Sequence, residues 1–188
     1  MSTQTALLDS AELAARKHGY NGFSYADLAR DVGIRKASIH HHFPKKADLA
    51  LSLIERYASR FADSLSEIET KNVTGGEKLK AYHALYRDAL DDGAQLCLCV
   101  VLSAGRDSLS KPVLNRLNQF HRDSITWLAG VFTEAERDGS VRHCSQPEVE
   151  ARATLALMEG AQLIARAEKN IALFDQATAA FAARLLPT

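Results

Sequence analysis

Residues 24–46 constrain this chain more than any other stretch. Ser24 stands where a helix N-cap is wanted, and Asp27 follows three positions on, an acidic variant of the capping box. The helix this predicts is short, about 25–32, with Ala26, Leu28, Ala29 and Val32 inward. Gly33 supplies a turn and Ile34 packs behind it. A second short helix, about 36–42, must end before Pro44, because the residue ahead of a proline disfavours helical backbone. A capped helix, a glycine turn and a crossing helix make a helix-turn-helix. The second helix has only Ala37 and Ile39 as apolar residues, with Phe43 after it. Its other face carries Lys36, Ser38, His40, His41 and His42. Such a helix buries itself poorly and suits a DNA major groove, where it can donate to phosphates and base edges.

Charge points the same way only when read locally. The chain has 23 basic and 23 acidic residues, so it is no general polyanion binder. Yet Arg30, Arg35, Lys36, Lys45 and Lys46 face a single acid, Asp31, across 30–46. A confined basic patch suggests a confined anionic partner, a solvated surface with no partner being the other reading of charge alone. Ser24 and Lys46 stand at helix starts, where backbone amides also favour a phosphate. The three adjacent histidines do not read as a metal site. Helical neighbours lie about 100° apart around the axis, so their rings point in three directions.

The rest of the chain predicts helix nearly everywhere. A first helix spans about 5–18, a long one about 46–69, and others about 77–91, 95–108, 112–138, 147–169 and 174–186. Pro44, Pro112, Pro147 and Pro187 sit where helices start or stop. The fold class is therefore all-α: an N-terminal three-helix DNA-binding domain over 1–45 and a larger helical regulatory domain over 46–188. The first residues show no leader peptide, and no apolar run approaches a membrane span. An odd cysteine count, Cys97, Cys99 and Cys144, suggests no disulfide framework, so the cytoplasm is the expected compartment.

The stretch Phe23-Ser24-Tyr25-Ala26-Asp27-Leu28-Ala29, then Val32-Gly33-Ile34, then Lys36 through Leu49 resembles the TetR family of repressors. Relatives usually carry a tyrosine where His40 stands, and a serine or threonine where Arg35 stands. The resemblance implies contacts with double-stranded operator DNA at Ser24, Lys36, Ala37, His40, His41, His42 and Lys46. Arg35 adds charge beside them, with a phosphate as its expected partner. It also implies a small-molecule effector bound among the later helices, with repression relieved by a population shift.

In that later region the last two helices carry apolar stripes, Ala151, Leu155, Met158, Ala161 and Ile164, then Phe174, Ala177, Phe181 and Leu185. They are expected to form a twofold homodimer interface, the alternative being packing inside one subunit. Tyr82, His83, Tyr86, His121 and Trp127 are candidate pocket residues, with core packing as the other reading. The segment Leu96-Cys97-Leu98-Cys99 resembles the Gly-Cys-Leu helix start of one branch of the family, some members of which sense electrophiles or oxidants through the cysteine matching Cys97. A buried structural thiol is the alternative. A helical ligand-binding protein that no longer reads DNA is a further alternative. No phosphate loop, metal-ligand spacing or nucleophile elbow marks an enzyme, and no cofactor is expected.

Overall fold

The computed structural model describes residues 2–186. Its helices are α1 (Thr3–His18), α2 (Tyr25–Val32), α3 (Lys36–His42), α4 (Lys46–Lys71), α5 (Gly75–Asp88), α6 (Leu98–Ala104), α7 (Lys111–Asp138), α8 (Pro147–Glu168) and α9 (Ala172–Ala182). Short 3-10 turns lie at Tyr20–Gly22 and Arg106–Ser108. No strand occurs among the described residues, and the fold is all-α, as the periodicity predicts. None of these helices is long and apolar enough to cross a membrane. The expectation for Pro187 lies outside the described residues.

Packing divides the chain into two compact units. The first is Met1–Arg60 with Leu98–Gln119, and the second is Phe61–Cys97 with Phe120–Thr188. Helices α4 and α7 each run through the division.

The first unit forms around α1, which buries Leu7, Leu8, Ala11 and Ala15. Leu28, Ile39, Phe43, Leu49, Leu53 and Ile54 fill the rest of this core. The inward face of α2 is Tyr25, Leu28 and Ala29, whereas Ala26, expected inside, is exposed. A helical repeat of 3.6 explains the exchange: positions 25, 28 and 29 share a face that 26 leaves. Glu12, nearly buried on α1, is held by Arg56 at 2.9 Å and Arg60 at 2.6 Å.

The second unit has its own core, in which Leu79, Tyr82, Tyr86 and Leu90 meet Leu128, Phe132 and Ala135, with Leu155, Met158, Ala161, Phe174 and Phe181. The N-terminus of α5 is tied at every open amide. Thr74 and Glu77 form a capping box. Gly75 N–H donates to Asp138 at 2.8 Å, and Gly76 N–H donates to Ser140 Oγ at 2.7 Å. A Cβ at Gly75 would lie 2.5 Å from the Ala135 nitrogen, so only glycine lets α5 approach α7 this closely. At the chain end, Arg142 N–H donates to the Arg184 carbonyl at 2.9 Å and Leu186 N–H to the Ser140 carbonyl at 2.9 Å. Arg184 also grips Glu150 with two hydrogen bonds, at 2.7 and 2.9 Å.

Two expectations change here. The predicted helix 95–108 shrinks to α6: after a turn in which Asp91, Asp92 and Gly93 take positive φ, residues 95–97 are non-helical, and behind α6 the chain passes into the 3-10 turn Arg106–Ser108. Of the apolar stripes expected at a dimer surface, Ile164 is exposed and Ala177 and Leu185 are half-buried, but Ala151, Leu155, Met158, Ala161, Phe174 and Phe181 are buried in the subunit core. Those side chains are needed to cover α5 and α7, and the outward face of α8 is a different one. It exposes Val149, Leu163 and Ile164, with Ala153, Ala156 and Ala167 along the same helix.

Candidate functional site

The helix-turn-helix is built from the inside outward. Ser24 closes a reciprocal box: its N–H and hydroxyl donate to Asp27 Oδ2 at 2.9 and 2.7 Å, and the Asp27 N–H donates back to Ser24 Oγ at 3.4 Å. Those hydrogen bonds, with Arg30 next, hold the Asp27 carboxyl below its ordinary pKa, so the cap stays ionised. Gly33 takes the left-handed conformation, φ 74° and ψ 32°, and Ile34 N–H reaches back to the Ala29 carbonyl at 3.0 Å. This turn aims α3 across α2.

Two buried side chains anchor α3. Ile39 is fully buried and Phe43 is 2% exposed. The Tyr25 hydroxyl donates to the Phe43 carbonyl at 2.9 Å. Burial, with Asp48 and Tyr20 adding to it, pushes the Tyr25 phenol up to about 12, so this donor keeps its proton. Sequence reasoning missed Tyr25 as the prop of this helix. Its signal is an aromatic placed one residue inside the cap, on the face shared with Leu28.

The candidate DNA-facing residues fall into two groups. Arg35, Lys36, Ala37, Ser38, His40 and His41 are exposed, and His42 is half-buried. The Arg35 side chain makes no capping hydrogen bond to α3. His40 leans its ring edge on Tyr25, 5.0 Å between centroids, and its Nδ1 sits 3.3 Å from the Pro44 carbonyl oxygen. Its other ring nitrogen is thereby aimed by a fixed partner. The rings of His41 and His42 stand 5.5 Å apart at 70°.

Lys46 and Ser24 form the second group, and both have inward work. Lys46 Nζ donates to the Tyr20 carbonyl at 2.6 Å and to the Phe23 carbonyl at 2.5 Å. It lies 4.0 Å from the centroid of the Phe23 ring and 4.8 Å from that of Tyr20. Burial pushes this ammonium below its ordinary pKa, countered in part by Asp27.

The candidate effector residues gather in the second unit. Tyr82 and Trp127 stack at 5.5 Å, and Tyr82 and Tyr86 lie 5.0 Å apart. Phe61 closes on both tyrosines, at 6.3 and 6.0 Å. His121 Nε2 stands 3.4 Å from Glu159 Oε1, and this carboxylate raises the imidazole pKa against the opposing effect of burial. Cys97 is 1% exposed and immediately precedes α6. Its N–H donates to Gln162 Oε1 at 3.0 Å, and Gln162 Nε2 donates to the Tyr86 carbonyl at 2.6 Å. His83 lies apart, with Nε2 2.7 Å from Thr178 Oγ1 and its ring against Phe174 and Phe181. Glu159, Gln162 and Phe61 escaped the sequence reading. The legible signal was two polar residues, three apart, on a helix whose neighbours Leu155, Met158 and Ala161 all point inward.

Comparison with known proteins gives a consistent result. A family model described as bacterial regulatory proteins, tetR family, matches residues 7–53. The chain is similar to the HTH-type transcriptional repressor NemR of Escherichia coli K12, 24% identical over 183 residues, covering 94% of this chain and 90% of the relative. It is similar to the HTH-type transcriptional repressor DhaR of Mycobacterium sp. strain GP1, 25% identical, covering 92% and 86%. Among solved structures, a TetR-family transcriptional regulator from Agrobacterium tumefaciens superposes with a TM-score of 0.91 at 30% identity, over 98% of this chain and 97% of that one.

Proposed function

Because the chain belongs to the TetR family of transcriptional regulators, a family of DNA-binding proteins and not of enzymes, we propose that it is a dimeric repressor that a small molecule releases from a palindromic operator. Residues 1–45 are the reading head, and 46–188 carry regulation and dimerisation. The observation that carries this reading is α3. It exposes Lys36, Ala37, Ser38, His40 and His41 while Ile39 and Phe43 fix it from beneath. A helix with a buried anchor row and a polar outer row is a surface built for a partner, and its basic flank suits phosphate.

Dimerisation goes through the outer faces of α8 and α9. Val149, Leu163 and Ile164 are 46–57% exposed there, beside the small residues Ala156, Ala179 and Ala183. Small and apolar positions let helices of two subunits approach closely, and a twofold pair would read half-sites about one DNA turn apart. The effector cluster is Tyr82, Tyr86, His121 and Trp127, with Cys97 at its edge.

The test is salt-dependent binding to the DNA flanking the protein's own gene. Lys36→Ala is expected to weaken binding and to lower the salt slope by about one unit. A protein that binds no nearby palindrome specifically would instead be a helical ligand-binding protein. Release through the Cys97 thiol is the second reading, favoured by its place beside the cluster residues Tyr86 and His121. Its burial requires the cluster to open before a reagent arrives. Alkylation that releases operator from the native chain and from Cys97→Ser alike would remove it.

A further inference from the structure

The second unit holds a polar atom that its own fold leaves unused. Trp127 Nε1 is buried and, among the described residues, donates no hydrogen bond. Buried polar atoms without partners are rare in folded proteins, and each asks for a molecule that can meet it. Aromatic and ionisable side chains surround it. Trp127 stacks on Tyr82, Tyr82 touches Tyr86, and the Glu159 charge acts on the Tyr86 hydroxyl.

The chemistry of the set restricts what fits. An indole N–H only donates, so the molecule must present an acceptor to Trp127. The walls are ring faces and edges, which favour a flat partner. When His121 is protonated, its charge and that of Glu159 oppose each other 3.4 Å apart and cancel. An added cation would find Glu159 already balanced, and an added anion would find the same at His121, so a charged ligand would be desolvated without compensation.

We propose that the effector is an uncharged, planar aromatic molecule whose hydrogen-bonding oxygen accepts from Trp127 Nε1. Its ring takes a place beside Phe61, Tyr82 and Tyr86, whose rings, now 5.0–6.3 Å apart, part to admit it. The class includes aromatic amides and phenols. This rests on the reading of the cluster as the effector site.

Trp127 is the only tryptophan in the chain, so its emission reports the site directly. Four probes of similar size separate the terms: benzamide, toluene, benzoate and benzylammonium. Benzamide is expected to change Trp127 emission saturably and to raise the melting temperature. Benzoate, benzylammonium and toluene are each expected to bind about tenfold more weakly or worse. Trp127→Phe keeps a ring but removes the donor. Followed by melting temperature, it is expected to lose up to about tenfold in benzamide affinity while toluene is unchanged. Glu159→Gln leaves His121 as an unbalanced cation when protonated, so benzoate is expected to gain on benzamide below neutral pH. The proposal is overturned if a charged probe or toluene matches benzamide on the native chain, or if no probe moves either signal. Operator binding measured on the same samples keeps the two readings separate. Specific DNA binding with no probe response removes this ligand class alone, and loss of DNA binding with a saturable benzamide response removes the repressor reading alone.

Discussion

Lys46, a candidate for the proposed DNA-facing surface, is committed inward. Two of its three donors already hold the Tyr20 and Phe23 carbonyls, and its ammonium rests over two rings. Lys46→Ala should therefore cost about 2 kcal/mol of stability, seen as a lower urea midpoint. Its effect on the salt slope of DNA binding should be smaller than that of the exposed Lys36→Ala. His121 gives a second outcome at this scale. Glu159 raises its folded pKa, so the pair stabilises fully below the ordinary histidine value of about 6.5. That contribution is lost as pH rises through the raised folded value. Urea midpoints of the native chain and Glu159→Gln should accordingly differ most on the acid side and converge at alkaline pH. A difference that grows with pH would show that Glu159 does not act through this imidazole.

At the scale of elements, close approach decides more than propensity. The contact of α5 with α7 depends on the missing side chain at Gly75. Gly75→Ala should destabilise by about 2 kcal/mol, or about 6 °C in melting temperature for a chain of this size. Gly130→Ala, on α7 with open space around it, should instead stabilise by about 0.5–1 kcal/mol. The same contrast explains what could be read beforehand. Caps, glycine turns and prolines act within a few residues, so Ser24 with Asp27, the Gly33 turn and the bounds of α2 and α3 were legible in the sequence. Which apolar stripe of α8 faces the core depends on α5 and α7, far along the chain. Both Met158 and Ile164 look equally apolar in sequence, yet one is fully buried and the other is 52% exposed. Glu159 was illegible for a similar reason: its partner His121 lies on another helix.

At the scale of the whole molecule, the outward face of α8 should decide assembly. In the dimer proposed above, Leu163→Glu combined with Ile164→Glu places like charges at the subunit interface. Sedimentation should show a monomer, and operator affinity should fall by about a hundredfold or more as the two half-sites lose their linkage. The path of the chain has a further consequence, for inheritance. The first unit takes in Met1–Arg60 and returns for Leu98–Gln119, where Ser108 accepts a hydrogen bond from Asn21 at 2.8 Å. A recombination event with one crossover near residue 60 would split that unit between two parents. If α3 reads DNA as proposed, its specificity can drift residue by residue on that surface, but the unit that carries α3 cannot be exchanged as a single cassette without bringing the 98–119 segment along.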